Sequence, residues 1–167
     1  IRATRPERMA ALAGDLVSAE AVKALKDLML ALGVASLDCR QDGAKIGHGP
    51  RQGYLFNTTI AGIESADAVL LVGTNPRWEA PIINARLRKA WLRNDLKVLR
   101  IGPRADLTYR VTELENNPAD LLDIAAGKHS AFDVLKAAKH PMLIVGMGAL
   151  ARADGAAVLA AAAQIAR

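Results

Sequence analysis

Five short apolar runs recur along the chain, and a turn signal follows each of them. The runs at residues 68–72 and 142–145 are continuous rather than alternating. Strands of a parallel sheet have this pattern because helices cover both of their faces. The runs predicted as strands are residues 9–13, 34–37, 68–72, 97–101 and 142–145.

Helical stripes fill most of the intervals between these runs. Residues 22, 25, 29 and 32 are apolar at helical spacing, as are Ile83, Leu87, Ala90 and Trp91. Further helices are predicted after Pro118, over residues 131–138 and over the alanine-rich residues 154–165. Alternating strands and helices predict one α/β domain over residues 1–167. Its predicted form is a doubly wound, Rossmann-like three-layer sandwich with a mostly parallel sheet of about five strands.

The composition agrees with a packed domain and reduces the classes of partner that we expect for it. Half of the residues are apolar and only 4% are aromatic, so the core must consist largely of Ala, Val, Leu and Ile. The net charge of +5 is modest and scattered along the chain, which does not favour nucleic acid as a partner. No apolar run approaches the roughly 20 residues that span a bilayer. The chain starts at Ile1 rather than Met, which indicates a fragment of a longer protein.

Four of the five predicted strands run into a glycine, at Gly14, Gly73, Gly102 and Gly146. In an open parallel sheet, ligands bind beyond the carboxyl ends of the strands, where glycine lets backbone approach a phosphate. The same glycines can instead serve tight turns that hold no ligand, and the sequence favours neither interpretation. A generic FAD or NAD module ranks last, because residues 146–152 do not complete a G-x-G-x-x-G motif.

The most specific turn is Gly-Thr-Asn-Pro-Arg at residues 73–77, and Gly-Pro-Arg follows the next strand at residues 102–104. These two turns resemble those of molybdenum oxidoreductases that bind a molybdopterin guanine dinucleotide. The resemblance implies that the nucleotide part of the cofactor would contact Gly73, Thr74, Asn75, Pro76, Arg104 and Thr108. Gly102 stands where that family has an aspartate, and a natural acceptor for guanine N–H groups is therefore lost.

A closer resemblance covers nearly the whole chain. The segments LDCRQDG at residues 37–43, YLFNTTIAGIE at 54–64, GTNPR at 73–77, NAR at 84–86 and DLTY at 106–109 are similar to the large iron–sulfur subunit of respiratory complex I. This resemblance implies a component of NADH:quinone oxidoreductase and a molybdenum-enzyme-like domain that has lost its cofactor.

Several further expectations come with that resemblance. The iron–sulfur clusters belong to the N-terminal part of the full-length subunit, and no cofactor is expected in this region. The implied partners are other complex I subunits and the N-terminal part of the same chain. The implied location is peripheral, at the cytoplasmic face of the bacterial inner membrane or the matrix side in mitochondria. The alternative function is the nucleotide-binding domain of an active molybdenum oxidoreductase.

A few other side chains invite chemical interpretations. Cys39 is the single cysteine and could pair with His48, but a structural thiol is the simpler interpretation, and no metal site is expected. Arg86, Lys89 and Arg93 form a basic stripe on one predicted helix. Such a stripe is usually a solvated face, and in a multisubunit complex it could instead contact an acidic neighbour.

Overall fold

The computed structural model describes residues 1, 3–14, 16–39, 43–47, 49 and 53–167. The chain divides into two compact units, Ile1–Gly43 and Ala44–Arg167, and each is described by itself. The expectation of one domain over the whole chain stays a prediction.

The N-terminal unit is a small β-α-β arrangement. Strand β1 (Ala11–Leu12) pairs in parallel with β2 (Leu37–Asp38), and helix α1 (Ala19–Ala31) connects them. Ser18 caps α1, because its hydroxyl oxygen accepts a hydrogen bond from the Ala21 N–H over 3.3 Å. The first two predicted strands are therefore present but short, and they form a two-stranded sheet of their own.

The second unit contains a four-stranded parallel sheet. Its strands are β3 (Ala68–Val72), β4 (Lys97–Ile101), β5 (Thr112–Glu113) and β6 (Pro141–Val145), in the spatial order β5-β4-β3-β6. The chain runs outward from β3 to β5 and then returns to the other side of β3, which is the doubly wound order with its switch point between β3 and β6. The predicted α/β class and parallel sheet are confirmed, with four strands instead of about five. The two-residue β5 has no apolar run and was not predicted.

Six α-helices of this unit are described. They are α2 (Pro76–Glu79), α3 (Pro81–Asn94), α4 (Pro118–Ala125), α5 (Ser130–Ala137), α6 (Met147–Leu150) and α7 (Gly155–Ile165). A 3-10 helix covers Ala61–Ser65.

Two apolar cores lie on opposite faces of the sheet and produce the three layers. Leu70 and Leu99 face a core shared with α4, α5 and α7, whereas Val69, Leu71 and Val98 face a core shared with α3 and the 3-10 helix. All five residues of β3 are buried. A fully buried Leu or Val side chain contributes about 1.5–3 kcal/mol, so this strand anchors both cores.

Candidate functional site

The carboxyl ends of three strands meet in a set of glycine turns. The Gly73 N–H donates to the Ile101 carbonyl oxygen over 2.8 Å, and the Gly146 N–H donates to the Val72 carbonyl oxygen over 2.8 Å. Three of the four glycines that follow predicted strands, Gly73, Gly102 and Gly146, therefore lie beside one another. Gly14 belongs to the N-terminal unit.

The glycines at the switch point allow close packing of the chain on itself. A Cβ atom on Gly73 would lie 2.5 Å from Cβ of Ala149 in α6. A Cβ atom on Gly146 would overlap the Gly73 carbonyl oxygen and lie 2.6 Å from Thr74 Cβ. Both distances are too short for nonbonded carbon atoms, so at these two positions the tight-turn interpretation has direct support.

Gly102 has its own backbone requirement. Its φ of 140° is disfavoured for residues with a side chain, and an added Cβ would approach the Gly73 Cα to 3.3 Å. An aspartate at this position would be strained in the present backbone. The conformation of this turn therefore favours glycine at position 102.

A carboxylate of the chain itself engages the Gly-Thr-Asn-Pro turn. The Thr74 hydroxyl donates to Glu79 Oε2 over 3.0 Å, and the Asn75 N–H donates to Glu79 Oε1 over 2.6 Å. Pro76 is buried and begins α2, where its missing N–H has no intrahelical partner to lose. The Asn75 Oδ1 atom is buried and has no hydrogen-bond partner in the described part of the chain.

The segment that contains Thr108 is tied to the first turn through Asp106. Arg77 Nη1 donates to Asp106 Oδ2 over 2.7 Å, and the Thr108 N–H donates to Asp106 Oδ1 over 2.9 Å. These two donors, the Thr108 N–H first, hold the pKa of Asp106 below its usual range. Thr108 itself has a φ of 72°, an uncommon conformation for a β-branched residue. Its predicted contact with a nucleotide stays a prediction.

Two buried polar side chains, Asn84 and Arg100, form hydrogen bonds to the same segment, over residues 105–109. Asn84 of α3 donates from Nδ2 to the Leu107 carbonyl oxygen over 3.2 Å and accepts from the Tyr109 hydroxyl over 2.8 Å. Burial raises the pKa of Tyr109 above its ordinary value. Arg100 donates to the Ala105 carbonyl oxygen over 3.0 Å.

The sequence analysis did not predict the buried hydrogen-bonding role of either residue, although each left a signal. Arg100 interrupts an apolar strand, and Asn84 lies beside the apolar stripe of α3. A polar residue at a position that the apolar pattern buries indicates a specific hydrogen-bonded contact, because an unpaired buried polar group is costly.

Two cavities open at this edge of the sheet. One has a volume of about 330 Å³ and is lined in part by Gly73, Gly102, Asn116 and Arg152. The second, of about 440 Å³, is lined in part by Arg104. Of the predicted site residues, Gly73 lines the first cavity and Arg104 the second. Thr74, Asn75, Pro76 and Thr108 line neither of them.

In this arrangement, the turn residues do not fit the phosphates of a nucleotide cofactor. The Thr74 hydroxyl and the Asn75 N–H already donate to Glu79, and that carboxylate would repel a phosphate. Arg152 donates from Nε to Asp154 over 2.7 Å and again from Nη2 over 2.9 Å. Arg104 shares its cavity with two carboxylates, those of Glu113 and Glu115.

The other candidate side chains have simpler environments. Cys39 is exposed, and its N–H donates to Asp38 Oδ1 over 2.7 Å; the suggested partner His48 lies outside the described residues. Among the described residues, no three His, Cys, Asp or Glu side chains are placed to hold a metal ion. Within the same residues, no helix combines the length and apolar character needed to cross a bilayer.

The predicted basic stripe is partly neutralised within the chain. Glu64, in the 3-10 helix, forms ion pairs with both Arg86 and Lys89 of α3. Hydrogen bonds from Lys89 and then Arg86 lower the pKa of Glu64. Arg93 remains exposed, with no ion pair among the residues that the structure describes.

Comparison with known proteins places the chain in a family. The chain is 45% identical over 159 residues to an NADH-quinone oxidoreductase subunit of Rickettsia felis. The aligned region covers 95% of this chain and 24% of that protein. It is 43% identical over 163 residues to the mitochondrial NADH dehydrogenase (ubiquinone) iron-sulfur protein 1 of Solanum tuberosum, which covers 98% of this chain and 22% of that protein. The predicted resemblance is therefore confirmed, and the chain spans about a quarter of the length of these curated relatives. The family model for molybdopterin oxidoreductase matches residues 1–167, and the chain belongs to that family.

Proposed function

We propose that the chain is a scaffold region of a peripheral subunit of NADH:quinone oxidoreductase, respiratory complex I, and that it performs no chemical step itself. The full complex would transfer electrons from NADH to quinone. The similarity to the Rickettsia and potato proteins over 95% or more of the chain supports this assignment, because a shared fold alone would not preserve identity at that level.

The observation that carries the non-catalytic part of the proposal is the contact between Glu79 and its own turn. The Thr74 hydroxyl and the Asn75 N–H are the donors that would otherwise be available to an anion, and both bind the Glu79 carboxylate. We therefore propose that Gly73, Thr74, Asn75 and Pro76 shape the entry to α2 and α3. Arg104 and Thr108 would likewise have structural roles, without a bound nucleotide.

The remaining parts of the proposal concern the longer protein. Its iron–sulfur clusters would lie in the N-terminal part of the full-length subunit, in agreement with the name of the potato relative as an iron-sulfur protein. Its partners would be the other subunits of the complex and the N-terminal part of its own chain. Its location would be peripheral, at the cytoplasmic face of the bacterial inner membrane or at the matrix side in mitochondria.

The direct experiment is to purify the complete gene product through an affinity tag from the membranes of its own organism. We expect it to copurify with an assembly that oxidises NADH, reduces quinone and contains iron. Molybdenum and pterin should be absent from that preparation. Recovery of the protein as a separate enzyme that contains molybdenum and pterin would overturn the proposal.

A second experiment tests the turn in the isolated chain. We expect no thermal shift with GDP at about 1 mM, because the proposal gives the turn no nucleotide site. A ligand raises the melting temperature only when its concentration approaches the dissociation constant. A wild-type shift that Arg104→Ala abolishes would instead support the alternative, a nucleotide-binding domain of an active molybdenum oxidoreductase. Arg110→Ala, which removes another exposed arginine, is the matched control.

A further inference from the structure

The outward face of α3 carries apolar side chains where a surface helix normally carries polar ones. The inner face of this helix packs Leu87 and Ala90 into the core. The opposite face presents Ile82, Ala85 and Leu92 at offsets 0, 3 and 10, and Lys89 lies among them at offset 7, paired with Glu64. Ile82 is 63% exposed and Leu92 is 59% exposed.

The charged residues of α3 itself all have the same sign. Helix α3 contains four basic residues and no acidic one. Glu64 forms ion pairs with Arg86 and Lys89 and offsets one of their two positive charges, whereas Arg88 and Arg93 are exposed and form no ion pair within the described part of the chain. These two arginines flank the apolar stripe. We call Ile82, Ala85, Arg88, Leu92 and Arg93 together the α3 outer face.

We propose that the α3 outer face binds a protein segment of another subunit, one that presents acidic side chains beside apolar ones. Residues at this spacing form the contact line between two packed helices, and arginine is enriched in protein interfaces. Two unpaired arginines at the border of the apolar stripe would pair with carboxylates at the edge of the partner's contact surface. This inference rests on the proposed function, because it needs the assembly in which that subunit resides.

The composition of the face argues for a protein partner over nucleic acid or lipid. A nucleic-acid surface needs a larger cluster of cations, since affinity depends on the number of neutralised phosphates. Two basic residues near an anionic membrane also contribute little attraction. A protein partner uses both properties of the face, because it buries the apolar side chains and pairs the arginines.

The test is made in the complete protein, in the membranes of its organism. The test variant combines Arg88→Glu with Leu92→Glu. The matched control combines Leu122→Glu with Lys128→Glu on and just after α4, which covers the other face of the sheet. Leu122 is 59% exposed, the same as Leu92. We expect the α3 variant to lower the fraction of protein that migrates with the assembled complex by about tenfold or more, and the α4 control to leave it near the wild-type value.

A photo-crosslinking residue at position 92, in an otherwise unchanged protein, provides a readout that does not depend on folding of the double variant. We expect crosslinks to a peptide of another subunit that contains both acidic and apolar residues, and fewer of them at high salt. Crosslinks confined to lipid, nucleic acid or the same chain would overturn the inference, as would equal assembly of the two variants.

The outcomes separate this inference from the proposed function. If the unmodified protein fails to migrate with an NADH-oxidising complex, the proposed function fails and the inference fails with it. If the unmodified protein assembles and the α3 variant assembles equally well, only the docking surface is wrong.

Discussion

Arg100, which is fully buried in β4, donates two hydrogen bonds to Glu113 of the neighbouring strand β5. The distances are 3.0 Å from Nε and 2.5 Å from Nη2, and the Glu113 side chain is 27% exposed. In this pair the guanidinium has no access to water, whereas the carboxylate remains partly exposed to it. It also explains how a two-residue strand stays attached to the sheet.

The unequal exposure of the two partners predicts an order of stability. Glu113→Ala leaves the buried guanidinium with the Ala105 carbonyl as its remaining described partner and should cost about 3 kcal/mol. Arg100→Met should cost less, about 1–2 kcal/mol, because the remaining carboxylate can be hydrated. Urea unfolding of the purified chain measures both values, with Glu115→Gln as the exposed control. The reverse order would contradict this account.

The close packing at the switch point makes Gly146 sensitive to a single methyl group. Gly146→Ala should destabilise the chain by about 2–3 kcal/mol, since the new Cβ overlaps the Gly73 carbonyl. Gly53→Ala is the matched control, because no atom of the described residues beyond its chain neighbours lies within 4 Å of its added Cβ, and its effect should stay within about 0.5 kcal/mol. Thermal or urea unfolding distinguishes the two. Equal effects would show that the strand ends can relax.

The carboxylate of Glu64 predicts one part of the acid sensitivity. Lys89 and Arg86 lower its pKa in the folded state, so the folded state favours the ionised form. This stabilisation is present above the unfolded pKa near 4.5 and is lost as the pH falls through the lower folded value. Glu64→Gln should therefore be destabilising at about pH 6 and much less so at about pH 3.

Unfolding midpoints at both pH values test this prediction against an exposed carboxylate. Glu7→Gln is suitable because Glu7 is exposed and has no hydrogen bond or ion pair in the described part of the chain. A difference between wild type and Glu64→Gln that is the same at both pH values would exclude the ion pairs as its source.

The hydroxyl of Tyr109 should contribute through Asn84 alone. Tyr109→Phe removes the hydrogen bond to the buried Asn84 Oδ1 and should cost about 1–2 kcal/mol, because the acceptor loses its partner. The ring contact with Trp91, at 6.4 Å between centroids, would remain. In an Asn84→Ala background, the same change should cost much less. A double-mutant cycle by urea unfolding checks this coupling, and additive effects would contradict it.

Several elements follow from the sequence by itself. The continuous apolar run at residues 68–72 locates β3 to the residue, because a strand buried on both faces is largely apolar. The run at residues 97–101 locates β4 to the residue, although it includes Lys97 and Arg100. The four-residue stripe from Ile83 to Trp91 locates the inner face of α3, because only one side of a helix can face the core. The Gly-Thr-Asn-Pro turn indicates the family, which the comparison then shows.

Only the tertiary structure decides what those elements do together. The short strand β5 depends on a side-chain pair thirteen residues apart, so no local pattern marks it. The contact of Glu79 with Thr74 and Asn75 depends on the backbone path between them, as does the approach of Ala149 to Gly73. The sequence by itself predicts a turn of a cofactor-binding type. In the folded chain, the Glu79 carboxylate accepts hydrogen bonds from that turn, because the tertiary structure decides which donors and acceptors meet.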